Sequence, residues 1–293
     1  MGGLDAALKI LGRQVKVLLA ALALSLAGVS ASQAEVVCTL VVDAESGGVL
    51  LQEGGGCARP AAPASTFKVP LALMGFDAGI LTAADAPAWP YRKEYGGTRP
   101  EEKVTLTPAG WLRDSVLWYS RQVVQRLGAA RFAGYVADFQ YGNADVSGDA
   151  RKDNGMTRSW LNSSLQVSPE EQVAFLRRML AGELPVSAAA RDAVVGIMPR
   201  FSAGPWELAG KTGTYYERNA DGSYNSRKQW GWFVGWAERD GERLVFAYLI
   251  RDPKKTAGAA GPRARDALLA RFAKWGDGQI AGRSGAFIDM NAS

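Results

Sequence analysis

Two rhythms of hydrophobic and polar residues divide the chain. Residues 36 to 56 and roughly 205 to 250 are short runs of β-branched and aromatic residues bounded by turn signals, which predicts strands. The earlier stretch sets Cys38-Thr-Leu-Val-Val against Val49-Leu-Leu across Glu45-Ser46-Gly47-Gly48, a hairpin pattern. The later one includes Gln229 to Trp236 and Arg243 to Ile250. Between them, Pro108 to Leu127, Pro169 to Ala181 and Ala188 to Ile197 carry helical spacing, the second opened by the start signal Ser168-Pro169-Glu170-Glu171. A last helix is expected from Arg263 to Trp275.

Strands at both ends with helices between them predict an α+β fold. Its central antiparallel sheet, completed by distant segments, is flanked by helices and carries an inserted all-helical subdomain. The sheet part covers about 35–75 and 205–275, and the helical part about 76–204. No repeat or low-complexity linker interrupts them, so 35–275 is one domain, with its site expected in the cleft between the two parts. The tail from 276 to 293 is small and polar and is expected to be loose.

The N-terminus changes the picture. Lys9, Arg13 and Lys16 precede an apolar run from Val17 to Ala27, with small residues Ser32 and Ala34 after it, the pattern of an export signal cleaved near Ala34. No later segment is apolar enough for a membrane helix, so a periplasmic, soluble mature protein is expected; the alternative is an uncleaved anchor. Loss of three cations and one anion with the leader lowers the formal charge from +5 to +3. The basic pairs Arg227-Lys228 and Lys254-Lys255 read as solvated surface, and no nucleic-acid partner is expected.

Composition then narrows the chemistry. With 47% hydrophobic residues the chain is a folded protein, and with no histidine it can hold neither a Ser-His-Asp triad nor an imidazole metal site. Acid–base work falls to Lys, Asp, Glu or Tyr. Cys38 and Cys57 cannot complete a thiolate zinc site; they are a disulfide or inert, and the hairpin would set them face to face across its strands.

Ser65-Thr66-Phe67-Lys68 places a hydroxyl and an amine three residues apart at the start of an apolar helix, where a desolvated lysine is a base for the serine. Pro70 just beyond removes a helical hydrogen bond, so a distorted first turn is expected. Far downstream, Lys211-Thr212-Gly213 offers a cation and a hydroxyl at a strand, followed by a glycine that lets the backbone approach closely.

Together these motifs mark β-lactamases and penicillin-binding proteins. The chain resembles the class D β-lactamases, or oxacillinases, from about Val36 to Trp275. Ser65 to Lys68, Tyr141-Gly142-Asn143 and Lys211 to Gly213 match that family's motifs fully, and Ser115-Val116-Leu117 matches with leucine in the last place. Trp160 stands where the family has its loop tryptophan, and Arg265, with Arg263 as the nearer competitor, where it has a carboxylate-binding arginine. Class A is disfavoured, since neither Ser-Asp-Asn nor Glu-x-x-Leu-Asn is present.

The resemblance implies hydrolysis of penicillins, oxacillin-like ones included, through an acyl-serine at Ser65. Lys68 would be carboxylated by carbon dioxide and shielded by Trp160, with no metal and no other cofactor. Ser115 would relay a proton, and the backbone N–H groups of Ser65 and Thr214 would form an oxyanion hole. Lys211, Thr212, Gly213 and Arg265 would bind the substrate, with Leu117 affecting water access. Tyr141 is either a wall or a proton carrier. Trp230, Trp232 and Trp236 read as sheet packing, and Trp118 as packing or a substrate contact. Residues 215 to 228 look longer than usual for the family. A penicillin-binding sensor or a DD-peptidase, acylating without fast turnover, remains the alternative, and the expected state is a monomer or weak homodimer.

Overall fold

The computed structural model describes residues 34–276. The expected leader (1–34) and loose tail (276–293) lie outside them, apart from Ala34 and Gly276. Strands β1 (Glu35–Asp43), β2 (Val49–Glu53), β3 (Arg200–Ala203), β4 (Trp206–Arg218), β5 (Tyr224–Arg239) and β6 (Glu242–Arg251) form one antiparallel sheet in the order β2-β1-β6-β5-β4-β3. The N-terminal hairpin therefore docks onto the last strand, as an α+β chain with strands at both ends requires. Helices α1 (Lys68–Asp77), α2 (Pro108–Asp114), α3 (Leu117–Leu127), α4 (Ala129–Asp138), α5 (Gly155–Arg158), α6 (Pro169–Ala181) and α7 (Ala188–Ile197) lie between, and α8 (Ala260–Gly276) closes the described chain.

Strand alternation decides what each face of the sheet touches. β5 sends Trp230, Trp232, Val234 and Trp236 toward the helical part, where they join Phe67, Trp111, Tyr119 and Phe175 in one core. It sends Phe233 and Ala237 the other way, with Phe246 and Tyr248 of β6, onto Ala264, Leu268 and Phe272 of α8. The three tryptophans are thus sheet packing, and Trp232 Nε1 finds a buried acceptor in the Ala62 carbonyl at 2.9 Å. Phe272 is wholly buried, so truncating it to alanine costs about 3–5 kcal/mol.

Three expectations change. The spacing over 108–127 gives two helices, because Ser115 adopts a left-handed φ of 59° and Val116 is extended. β3, α4 and α5 carry too few buried positions for the pattern to announce them; α4 buries only Phe132 and Val136. Cys38 and Cys57 are bridged, but not as a cross-strand pair. The β1–β2 ladder reaches only Thr39 opposite Glu53, and the chain then turns back through Gly54, at φ +83°, to deliver Cys57. Pro70 has the expected effect: residues 64–67 form a 3-10 turn before α1 begins.

Candidate active site

A 3-10 turn eclipses residues three apart, and Lys68 Nζ donates to Ser65 Oγ at 3.1 Å. The turn is held from three sides. Ala64, at a strained φ of 49°, donates its N–H to the Trp160 carbonyl at 3.0 Å. Thr66 Oγ1 donates to the Pro63 carbonyl at 2.7 Å and accepts from Gln172 Nε2 of α6 at 2.8 Å. Ser65 stays partly exposed, whereas Lys68 is 1% exposed and has no ion pair among the described residues. Burial, then repulsion from Lys211 and Arg99, holds its ammonium well below the ordinary lysine range, with Glu102 opposing.

Lys211 lies opposite Val234 on β4, so it faces the helical part, while Thr212, opposite Phe233, faces α8. Lys211 Nζ donates to Ser115 Oγ at 2.9 Å and to the Thr212 carbonyl at 3.1 Å. Ser115 can reach it because the break between α2 and α3 turns the chain there. Arg99 helps to fix that break, donating to the Asp114 carbonyl at 3.0 Å while paired with Glu101 and Glu102. Burial, followed by repulsion from Arg99, brings Lys211 down to about 7. Gly213 lets β4 lie against the serine turn: a Cβ there would stand 2.9 Å from the Pro63 carbonyl oxygen and 3.3 Å from Ser65 N. Thr214 Oγ1 accepts from Gly261 N at 2.8 Å, tying the strand to the start of α8.

The third fully matched motif supports rather than lines this group. Tyr141 is fully buried, its ring 5.5 Å from that of Phe67, and its hydroxyl donates to Gln172 Oε1 at 3.1 Å. Burial raises its pKa above the ordinary range, so it holds its proton. Gly142, at φ +56°, lies where any Cβ would strike the Gln166 carbonyl, and Asn143 bonds the Ser164 carbonyl and Gln166 N. The motif therefore staples the loop carrying Trp160 to the turn carrying Ser65. Trp160 itself is fully buried and stacks on Phe67 at 5.5 Å, and its Nε1 has no partner among the described residues.

Sequence reasoning missed the outer clamp on that loop. The long hairpin of β4 and β5 returns over it: Arg218 donates to Asp149 at 2.9 Å and to the Asn162 carbonyl, and Asn162 Nδ2 donates to the Tyr216 carbonyl. Asp149 also accepts from Arg158, Ser163 and Asn154. The unusual length of 215–228 was the available signal, but only the fold shows what it reaches. Arg99, Glu102 and Gln172 had no motif to reveal them.

Three expected site residues need correction: the Thr212 side chain, which faces α8, and the two arginines. Arg265 does not join the group: it pairs with Asp266 and lies 5.2 Å from the Phe201 ring, on the α8 side of the sheet. Arg263 is taken by the buried carboxylate of Asp252 and the Ala257 carbonyl. It is Gly261 at the start of α8 that meets Thr214, while the ion pairs with Asp266 and Asp252 hold the two arginines away from the group. Leu117 opens α3 and packs partly buried against the core. Trp118 is packing, its Nε1 donating to the Glu102 carbonyl at 2.7 Å.

The arrangement matches known proteins along most of the chain. The penicillin binding protein transpeptidase domain covers residues 37–270. The chain is 46% identical over 234 residues to β-lactamase OXA-9 of Klebsiella pneumoniae, covering 79% of this chain and 85% of that protein. It is 35% identical to β-lactamase OXA-1 of Escherichia coli, covering 73% and 75%. The crystal structure of the class D β-lactamase OXA-427 superposes with a TM-score of 0.75 at 42% identity, covering 83% of this chain and 99% of that one. With the Ser65–Lys68 turn, the Lys211–Ser115 contact and the Tyr141 staple in one core, the chain belongs to the class D β-lactamases.

Proposed function

We propose that the protein hydrolyses the β-lactam ring of penicillin-type antibiotics, oxacillin-like ones included, through an acyl-serine at Ser65, and so confers resistance to them. The observation that carries this reading is the buried Lys68 amine, 3.1 Å from Ser65 Oγ in a protein without histidine. A base must sit beside the serine for both acylation and release, and Lys68 is the titratable group there.

The residues around Lys68 fit carboxylation of Nζ by carbon dioxide. A desolvated amine held well below its ordinary range gives up its proton more readily, and the free amine is nucleophilic toward carbon dioxide. Trp160 Nε1 is a buried donor awaiting an acceptor, and leaving it unpaired costs about 1–3 kcal/mol. When bound, the carboxylate supplies an oxygen base in place of the amine nitrogen.

The chain's other groups take the remaining work. The Ser65 and Thr214 N–H groups are the donors for charge developing on the β-lactam carbonyl oxygen. Ser115 Oγ, hydrogen-bonded to Lys211, passes a proton to the ring nitrogen as the C–N bond breaks. Lys211 holds the substrate carboxylate, with Gly213 allowing the close approach and without help from Arg265 or from the Thr212 side chain, which faces α8. Leu117 lies at the start of α3 beside Ser115 and tunes water access.

The Cys38–Cys57 bridge fits an oxidising compartment, and among the described residues no helix is long and apolar enough to cross a membrane. We place the exported protein in the periplasm, as a monomer or weak homodimer. Steady-state assays with benzylpenicillin and oxacillin test the proposal: multiple turnovers, lost in Lys68→Ala, are expected. A single burst leaving a stable acyl adduct would overturn it and favour a sensor or peptidase.

A further inference from the structure

A second cavity of about 340 Å³ opens between α3, α5 and the segment at Glu94 and Tyr95. None of Ser65, Lys68, Ser115 or Lys211 lines it. Its apolar wall is aromatic and thioether, Tyr95 and Trp118 stacking at 5.1 Å with Met156 contributed by α5, and Gln122, Gln125 and Thr157 complete the lining. Among these apolar groups stands one charge that the fold leaves unanswered. Arg121 makes no ion pair among the described residues, and its Nε is buried without a hydrogen-bond partner. Arg158, close enough to repel it, is engaged by Asp149 at 2.8 Å. Arg121 is half-buried, and a partly desolvated guanidinium with an unpaired buried N–H and no anion is a group that a ligand's counter-charge would stabilise.

We propose that this cavity is a binding site for a small aromatic monocarboxylate, its ring against Trp118, Tyr95 and Met156 and its carboxylate on the Arg121 guanidinium. The volume falls in the range of small-molecule sites, and an apolar wall with a few polar groups and one cation, Arg121, is their usual make-up. Arg121 offers a planar fork suited to bidentate capture of a carboxylate. Glu94 on the rim disfavours a dianion, so phosphate esters and dicarboxylates are the poorer ligands. The site stands apart from the proposed hydrolysis and does not depend on it.

Calorimetric titration of the purified protein with phenylacetate at low ionic strength tests it, low salt being needed because screening weakens a single charge contact. Saturable binding is expected, weakened at least about tenfold by Arg121→Gln and restored to within a few-fold by Arg121→Lys. In Ser65→Ala enzyme saturated with benzylpenicillin, which fills the catalytic group, the affinity should be unchanged. Thermal melting supplies a reading that a merely structural arginine would move the other way: Arg121→Leu should melt no lower than the parent. No saturable binding, equal affinity in Arg121→Gln, displacement by benzylpenicillin, or a clear drop in the Arg121→Leu melting temperature would each overturn the proposal.

Discussion

Lys211 Nζ and Ser115 Oγ, 96 residues apart in sequence, meet at 2.9 Å where strand β4 passes the break between α2 and α3. The contact joins the sheet half of the site to the helical half, and it gives Ser115, the proposed proton relay, a partner whose own charge is marginal. Because Lys211 is held near 7, the free enzyme loses the cation proposed to receive the substrate carboxylate as pH rises through neutrality. kcat/KM should therefore fall on the alkaline side with an apparent pKa near 7, mainly through KM. Arg99→Gln removes a repelling cation and should move that limb to higher pH, and Lys211→Arg should flatten it. An alkaline limb that stays put in both variants would show that another group sets it.

Ser115→Ala should lower kcat by about 10²–10⁴-fold, the usual worth of a positioned proton carrier, with a much smaller change in KM. Single-turnover acylation rates, measured beside the steady state, check that the loss lies in the acylation step.

Trp160→Phe keeps a ring against Phe67 but removes the indole N–H, which has no protein partner to lose. Turnover should drop about 10–100-fold, the worth of one hydrogen bond to a charged group, and recover in part with added bicarbonate. The melting temperature should change little. A variant that melts far lower yet turns over normally would assign Trp160 to packing alone.

Asp149 ties the Trp160 loop to the β4–β5 hairpin. Burial pushes its carboxyl up, but hydrogen bonds from Ser163, Asn154 and Arg158 outweigh that and bring it to about 2, against an ordinary 3.8. A depressed carboxyl contributes stability above its unfolded value and loses it as pH falls through the folded one. Denaturant titrations should thus show stability falling between about pH 4 and 2, with a shallower slope in Asp149→Asn.

Tyr141→Phe should cost about 1 kcal/mol of stability, the worth of its hydrogen bond to Gln172, and leave the pH–rate profile in place. A displaced profile would return Tyr141 to the proton path.

The chemistry was legible wherever it is local. Ser65 and Lys68 are three residues apart, and their spacing alone puts them within reach; Lys211-Thr212-Gly213 needs only a strand with an open approach. The alternation of Trp230, Trp232 and Trp236 likewise showed one layer. What failed was decided by tertiary contact. The continuous helical spacing over 108–127 hides the break at Ser115, which Arg99 stabilises from a loop with no periodicity. Arg265 is engaged by Asp266 and the Phe201 ring, and Arg263 by Asp252, partners that no motif foretells. Cys57 reaches Cys38 through Gly54, whose positive φ no pairing register foretells. The Asp149–Arg218 clamp depends on two distant loops meeting, which neither announces.

The carboxylation of Lys68 is tested most directly by ¹³C NMR of the purified protein in ¹³C-bicarbonate. One protein-bound carbamate resonance is expected, absent in Lys68→Ala and rising in proportion to penicillin turnover as bicarbonate is added. Full turnover with no such resonance would contradict a carboxylated lysine and leave the neutral amine as the base.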